Sequence, residues 1–203
     1  MNPLLSVRAS IVTGFVLAVL LAFVIMHGFF PNELPIARWL HILSGVMWIG
    51  LLYYFNVVQT PALAVAAADK GGPGGAGINK YVAPRALFWF RWAALATWLT
   101  GAWYLGRGRN FGNAFTLGHL GQDYYGLIIG CGAWFGTIML FNVWVLIWPN
   151  QKKILGIVPA TDEAKAKARK IALMASRINF VLSIPMLMCM ASASHGLPFG
   201  PHS

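Results

Sequence analysis

Five stretches of this 203-residue chain stay apolar long enough to cross a hydrocarbon core of ~30 Å, which takes ~20 helical residues each. Inside such a core each backbone N–H and C=O must find its partner within the protein, so spanning segments of this length are expected to be α-helices. The stretches fall at about 9–28, 36–65, 84–106, 123–148 and 170–195. The expected fold is an all-α integral membrane protein with five transmembrane helices, spans two to five forming a four-helix bundle. Residues 1–203 make one membrane domain with no soluble domain.

Charge usage agrees. Only 10% of the residues are charged and 58% are hydrophobic, whereas soluble domains carry about 25% charged residues. The net charge of +10 therefore belongs to loops beside the bilayer. Trp and Phe interleave with apolar runs rather than basic ones, which excludes nucleic acid as a partner and leaves the lipid bilayer. Cys131 and Cys189 both lie in apolar stretches and read as small packing residues, and no Cys-x-x-Cys-His attaches a c-type haem.

The run Ile11–Met26 is at the long end for a signal peptide and no small-residue cleavage site follows at 27–31, so it reads as an uncleaved first span. Residues 66–83 form a glycine-rich, non-periodic loop. No strand precedes it and no Gly-Lys-Ser/Thr follows, so it is not a phosphate cradle. The spacings Gly126…Gly130 and Gly132…Gly136 permit close helix contact.

Basic residues set the orientation. Arg8, Lys70, Lys80, Arg85 and the six between 152 and 170 fall on one side, against Arg38, Arg107 and Arg109 on the other. The N-terminus is expected in the cytoplasm and the C-terminus in the periplasm of a bacterial inner membrane. His27, His41, His119, His195 and His202 then all lie near the external side. His27, His119 and His202 suit an interface. His41 and His195 have long apolar runs beside them, and an ionisable group there is costly unless it faces protein, water or a cofactor.

Ser44, Gly45 and Trp48 follow His41 on its helix face, and the small pair leaves room for something flat. Two imidazoles at similar depth on different helices are what a six-coordinate haem iron needs. His41 and His195 are therefore the candidate axial ligands of a haem b, with Arg38, one turn nearer the water, as propionate partner. Copper is the alternative metal, since imidazole suits it and Met47, Met186, Met188 and Met190 are available.

A second polar layer lies toward the cytoplasm. Gln59 comes eighteen residues after His41 and Arg177 eighteen before His195, about five turns or ~27 Å along each axis. Asn56, Gln59, Arg91, Asn142, Arg177 and Asn179 reach comparable depth. They could hold an anion or second cofactor, or form interhelical hydrogen bonds with the arginines snorkelling.

The segments Arg38–Gly50, Gly136–Trp144 with Trp148–Lys153, and Ser176–Asn179 with Leu182–Met186 and Ser192–His195 resemble the membrane domain of PuuD-type urate hydroxylases. More distantly, the His41 segment resembles the HemJ-type and CopD-type group, whose members are associated with haem b or copper. PuuD-type proteins carry a cytochrome c domain after the membrane domain, and residues up to Ser203 contain none. The resemblance thus implies a b-type haem protein that passes electrons to a separate c-type cytochrome or larger respiratory complex. Alternatives are a urate- or purine-oxidising enzyme component, and a cofactor-free structural subunit of a membrane complex.

The orientation is testable. A reporter fused after Ser203 should be external and one inserted between Lys153 and Lys165 cytoplasmic; the opposite labelling would invert the assignment.

Overall fold

The computed structural model describes residues 2–28 and 31–199, among which there is no strand. The chain divides into two compact units, Met1–Ile36 and Ala37–Ser203. The helices are α1 (Val7–Met26), α2 (Glu33–Ala68), α3 (Ala83–Arg107), α4 (Phe111–Phe115), α5 (Tyr124–Ile154) and α6 (Asp162–Ser192). Of these, α1, α2, α5 and α6 are long and apolar enough to cross a membrane. The expected span at 84–106 is a 25-residue helix, α3. It carries Arg85, Arg91 and Arg107 besides four tryptophans, and it lacks the apolarity of the other four. The bundle core is nevertheless built with it: Trp48 and Leu52 of α2 meet Phe90 and Ala94 of α3, Met139 and Val143 of α5, and Ala175 and Met186 of α6.

In the first unit, α1 ends at His27, which adopts the left-handed conformation (φ 51°), while Gly28 N–H returns to the Phe23 carbonyl at 3.1 Å. His27 thus caps a helix.

Three helices reach further than the apolar runs suggested, and the handling of proline explains two of them, α2 and α5. Proline lacks an N–H and its ring crowds the carbonyl four residues back. A π-helical turn, one residue wider than the α-turn, precedes each of three prolines: Tyr54–Gln59 before Pro61, Ile78–Val82 before Pro84, and Asn142–Ile147 before Pro149. The wider turn relieves the crowding and lets the helix continue. α2 therefore runs to Ala68, and α5 continues through Pro149 to Ile154. α6 starts at Asp162 rather than near 170, because Thr161 caps it, accepting from Ala164 N–H at 3.2 Å, with Asp162 and Glu163 in the first turn.

The expected loop at 107–122 contains α4 and then a left-handed turn, Leu117–Gly121, whose five residues all have positive φ, from 49° to 96°. Left-handed backbone costs about 1–2 kcal/mol at each non-glycine residue, and Leu117, His119 and Leu120 are three such. The turn is tied by Leu120 N–H to the Thr116 carbonyl (2.9 Å) and Asp123 N–H to the Gly118 carbonyl (3.1 Å). Asp123 then caps α5, accepting from Tyr125 and Gly126 N–H at 3.1 Å each. The Asn113 amide donates to the same carboxylate and holds it below the usual carboxylate range.

Three of the four spaced glycines on α5 make close contacts, with unexpected partners, while a Cβ on Gly136 would meet nothing within 4 Å. A Cβ on Gly126 would meet the Asn113 side chain and one on Gly130 the Ala114 carbonyl, so this pair seats α4. A Cβ on Gly132 would come 3.1–3.2 Å from Met190 and Cys189, so this glycine seats α6.

Buried amides join the helices. Asn142 Nδ2 donates to Asn179 Oδ1 (2.8 Å), and Asn179 Nδ2 donates to the Met139 carbonyl (2.9 Å). Asn56 Nδ2 donates to Ser176 Oγ (2.9 Å) and the Leu52 carbonyl (2.8 Å). Asn179 is fully buried. Asn179→Ala should lower stability by about 1–2 kcal/mol, read as a lower midpoint of thermal unfolding in detergent. An unchanged midpoint would show that the pair is not holding α5 to α6.

Candidate functional site

His41 stands on α2 two turns from its start, and its ring crosses to α3. Its Nδ1 lies 2.7 Å from the Thr97 carbonyl oxygen. A carbonyl can only accept, so Nδ1 carries the proton, and in the neutral ring Nε2 keeps its lone pair. This is the arrangement by which metal-binding histidines are fixed in tautomer and ring orientation. Gly101 makes it possible, because a Cβ there would stand 2.9 Å from both Cε1 and Nδ1 of the ring.

His41 lines a cavity of about 350 Å³ whose walls come from α2, α3, α4, α5 and α6, within the ~300–1,000 Å³ range of small-molecule and cofactor pockets. Its walls are almost wholly apolar: Leu105, Phe115, Met186, Leu187 and Met190, with Gly45, Gly101 and Gly136 leaving open ground. A Cβ on Gly136 would meet nothing within 4 Å. Trp48 also lines the cavity, and its Nε1–H is buried without an acceptor. The cavity therefore offers one imidazole lone pair, one spare indole donor, two thioethers and flat apolar surface. That set fits a flat, hydrophobic group with a metal at its centre. Among the described residues no cluster of three or more His, Cys, Asp or Glu could hold a metal ion by itself.

The other expected site residues are dispersed. His195 lies in the turn after α6, exposed and outside the cavity lining. Arg38 is exposed on α2 and does not line the cavity. His119 sits in the left-handed turn, and His202 lies outside the described residues. The polar layer resolves into separate features. Asn56, Asn142 and Asn179 are engaged in the interhelical bonds above. Arg91 stacks on aromatic faces, its Cζ 3.8 Å from the centre of the Trp148 ring and 5.2 Å from that of Phe88. Arg177 is exposed. Gln59 alone reaches a cavity, a second one at the far end of the bundle, where its Oε1 is buried without a donor. Neither Thr97 nor Gly101 was expected at the site. The glycine, about five turns into an aromatic-rich helix, was the available signal.

Among the described residues, an all-helical chain with four helices long and apolar enough to cross a membrane and an apolar cavity beside one oriented histidine is the class that these features define. A family model described as urate oxidase N-terminal matches residues 120–203, which bears out the resemblance to PuuD-type membrane domains over that stretch. The match takes in α5 and α6. His41, Thr97 and Gly101 precede it. No curated protein and no solved structure matches the chain.

Gly101→Ala should push the imidazole off the Thr97 carbonyl. In protein labelled with ¹⁵N-histidine, the Nδ1 and Nε2 shifts of His41 should then lose the signature of a single hydrogen-bonded tautomer. Unchanged shifts would mean the ring is held by something else.

Proposed function

We propose that this chain is a membrane-embedded b-type haem protein acting in electron transfer, with His41 Nε2 as an axial ligand. The observation that carries the reading is the His41–Thr97 hydrogen bond at 2.7 Å, which presents an oriented, unprotonated nitrogen on a dry cavity. Bound there, haem iron would carry one electron at a time between ferric and ferrous states. The chain's own residues supply the setting. Thr97 fixes the ring and raises the basicity of the ligand nitrogen. The apolar walls exclude water, and Trp48 offers an N–H to an acceptor on the group. A second ligand to the metal would come from His195 or from a thioether, since Met186 and Met190 line the cavity on the wall contributed by α6. Five membrane spans, with α3 as the third inside a bundle of α2, α3, α5 and α6, and a separate c-type cytochrome as electron partner, belong to the same proposal, as does the periplasmic placement of the His41 end.

The match to a urate oxidase N-terminal family favours a second reading, in which the chain is one component of a urate- or purine-oxidising system. Copper at His41, Met186 and Met190 is the alternative metal, because thioether and imidazole both suit it.

The purified protein should show a sharp α-band after dithionite. His41→Ala should abolish it or convert it to a high-spin spectrum, and His119→Ala should leave it intact. Comparing His195→Ala with Met190→Leu identifies the second ligand by the loss or shift of the low-spin spectrum. Urate consumption with an added c-type cytochrome as acceptor then separates the two readings. Copper without haem in metal analysis, or neither, would overturn the haem assignment.

A further inference from the structure

The second cavity lies at the opposite end of the bundle from His41. Its volume is about 900 Å³, and it opens between the second half of α2, the start of α3, the end of α5 and the first turns of α6. Two cations line it, Lys80 and Arg169, and both are exposed at its mouth. No acidic side chain lines it. Gln59 lies deeper, in the π-helical turn of α2, and its Oε1 is buried without a donor. Thr60, Asn79, Gln151 and Ser176 add polar groups to the wall, and the rest is apolar, including Phe55, Leu63 and Leu173.

Each feature restricts the occupant. Two cations with no lining carboxylate call for an anion. A buried carbonyl oxygen that only accepts calls for an O–H or N–H on the same molecule, because leaving it unpaired costs about 1–3 kcal/mol. The long apolar wall calls for hydrocarbon. A fatty acid would answer the cations and leave Gln59 unpaired. A zwitterionic lipid would set its own ammonium against Lys80 and Arg169. We propose that this cavity binds a phosphate ester whose alcohol part carries free hydroxyls, supplied by the headgroup of an anionic phospholipid. The phosphate sits between Lys80 and Arg169, a headgroup hydroxyl donates to Gln59 Oε1, and the acyl chains follow Leu63 and Leu173. The inference is independent of any cofactor at His41.

The full-length protein in detergent can be titrated with three lipids of identical acyl chains, with binding read by native mass spectrometry. Phosphatidylglycerol has the charge and the hydroxyls, phosphatidylmethanol has the charge alone, and phosphatidylcholine has neither net charge nor hydroxyls. Phosphatidylglycerol should bind at least about tenfold more tightly than phosphatidylcholine, with phosphatidylmethanol between them. The double variant Lys80→Gln/Arg169→Gln should remove the preference over phosphatidylcholine. Lys80→Arg/Arg169→Lys should keep it and serves as the control for folding. Gln59→Leu should make phosphatidylglycerol and phosphatidylmethanol equal while both remain ahead of phosphatidylcholine. Equal binding of phosphatidylglycerol and phosphatidylcholine by the wild-type chain would overturn the proposal, as would a preference untouched by the double variant. Glycerol 1-phosphate is the soluble arm. If it binds with the same dependence on Lys80, Arg169 and Gln59 while the lipids do not, the lipid source is overturned and the ligand is a free phosphate ester.

Discussion

The fold depends on keeping every backbone polar group satisfied in helices that carry proline. In water a freed carbonyl can hydrate, but in a hydrocarbon core it cannot. This chain answers with π-helical turns at Tyr54–Gln59, Ile78–Val82 and Asn142–Ile147, each ending shortly before a proline. A π-turn inserts a residue and rotates the helix face beyond it, so side chains on the two sides no longer keep ordinary helical register. Asn56, Gln59 and Asn142 all sit within such turns. Of the amides that join helices, Asn56 and Asn142 are therefore placed where the backbone is already irregular, and the wider turn opens the angles from which they reach Ser176 and Asn179, the latter on the regular helix α6.

Small residues perform the complementary task. Gly101 lets an imidazole approach the backbone of α3, and Gly126 and Gly130 let α4 lie against α5. Association of apolar helices in lipid gains little from hydrophobic burial, so close approach and interhelical hydrogen bonds carry more of it. The Trp98 Nε1–H to Thr137 Oγ1 bond at 2.9 Å, between α3 and α5, is of this kind. It also explains how α3 keeps its place in the core despite three arginines and four tryptophans. The stacking of Arg91 on Trp148 places one of those charges against an aromatic face.

Much of this was legible in the sequence, and the illegible parts share a cause. Length and apolarity gave the long helices, and His41 stood out because an imidazole has no business deep in an apolar helix unless it has a partner. The partner itself was not legible, since it is a backbone carbonyl that any residue at position 97 would present. Apolarity located the spans only approximately: it missed the extension of α2 and α5, where π-turns accommodate prolines that ordinarily end helices. The left-handed turn at Leu117–Gly121 had no signal either, because Leu, which fills two of its five positions, rarely adopts positive φ. Depth along a helix axis grouped six polar residues into one layer, but depth carries no azimuth. Asn56, Asn142 and Asn179 turn toward neighbouring helices, Arg91 toward Trp148, and Arg177 away from the core.

The two cavities differ in a way that follows from which polar atoms are left over. At the His41 end, among the described residues, the spare groups on the cavity are a ring nitrogen and the indole N–H of Trp48, set in apolar walls. Such a site binds through one directional bond and shape, and favours a hydrophobic ligand that needs little solvation. At the Gln59 end the spare groups are a buried carbonyl oxygen and two exposed cations, a site that selects for charge and a donor and tolerates water at its mouth. Between them lie the buried amides Asn56, Asn142 and Asn179, paired with Ser176, with one another and with the Met139 carbonyl. A belt whose donors are already committed has little to offer a ligand of its own. It separates the dry end from the charged one, so that chemistry at each can be set by its own leftover atoms.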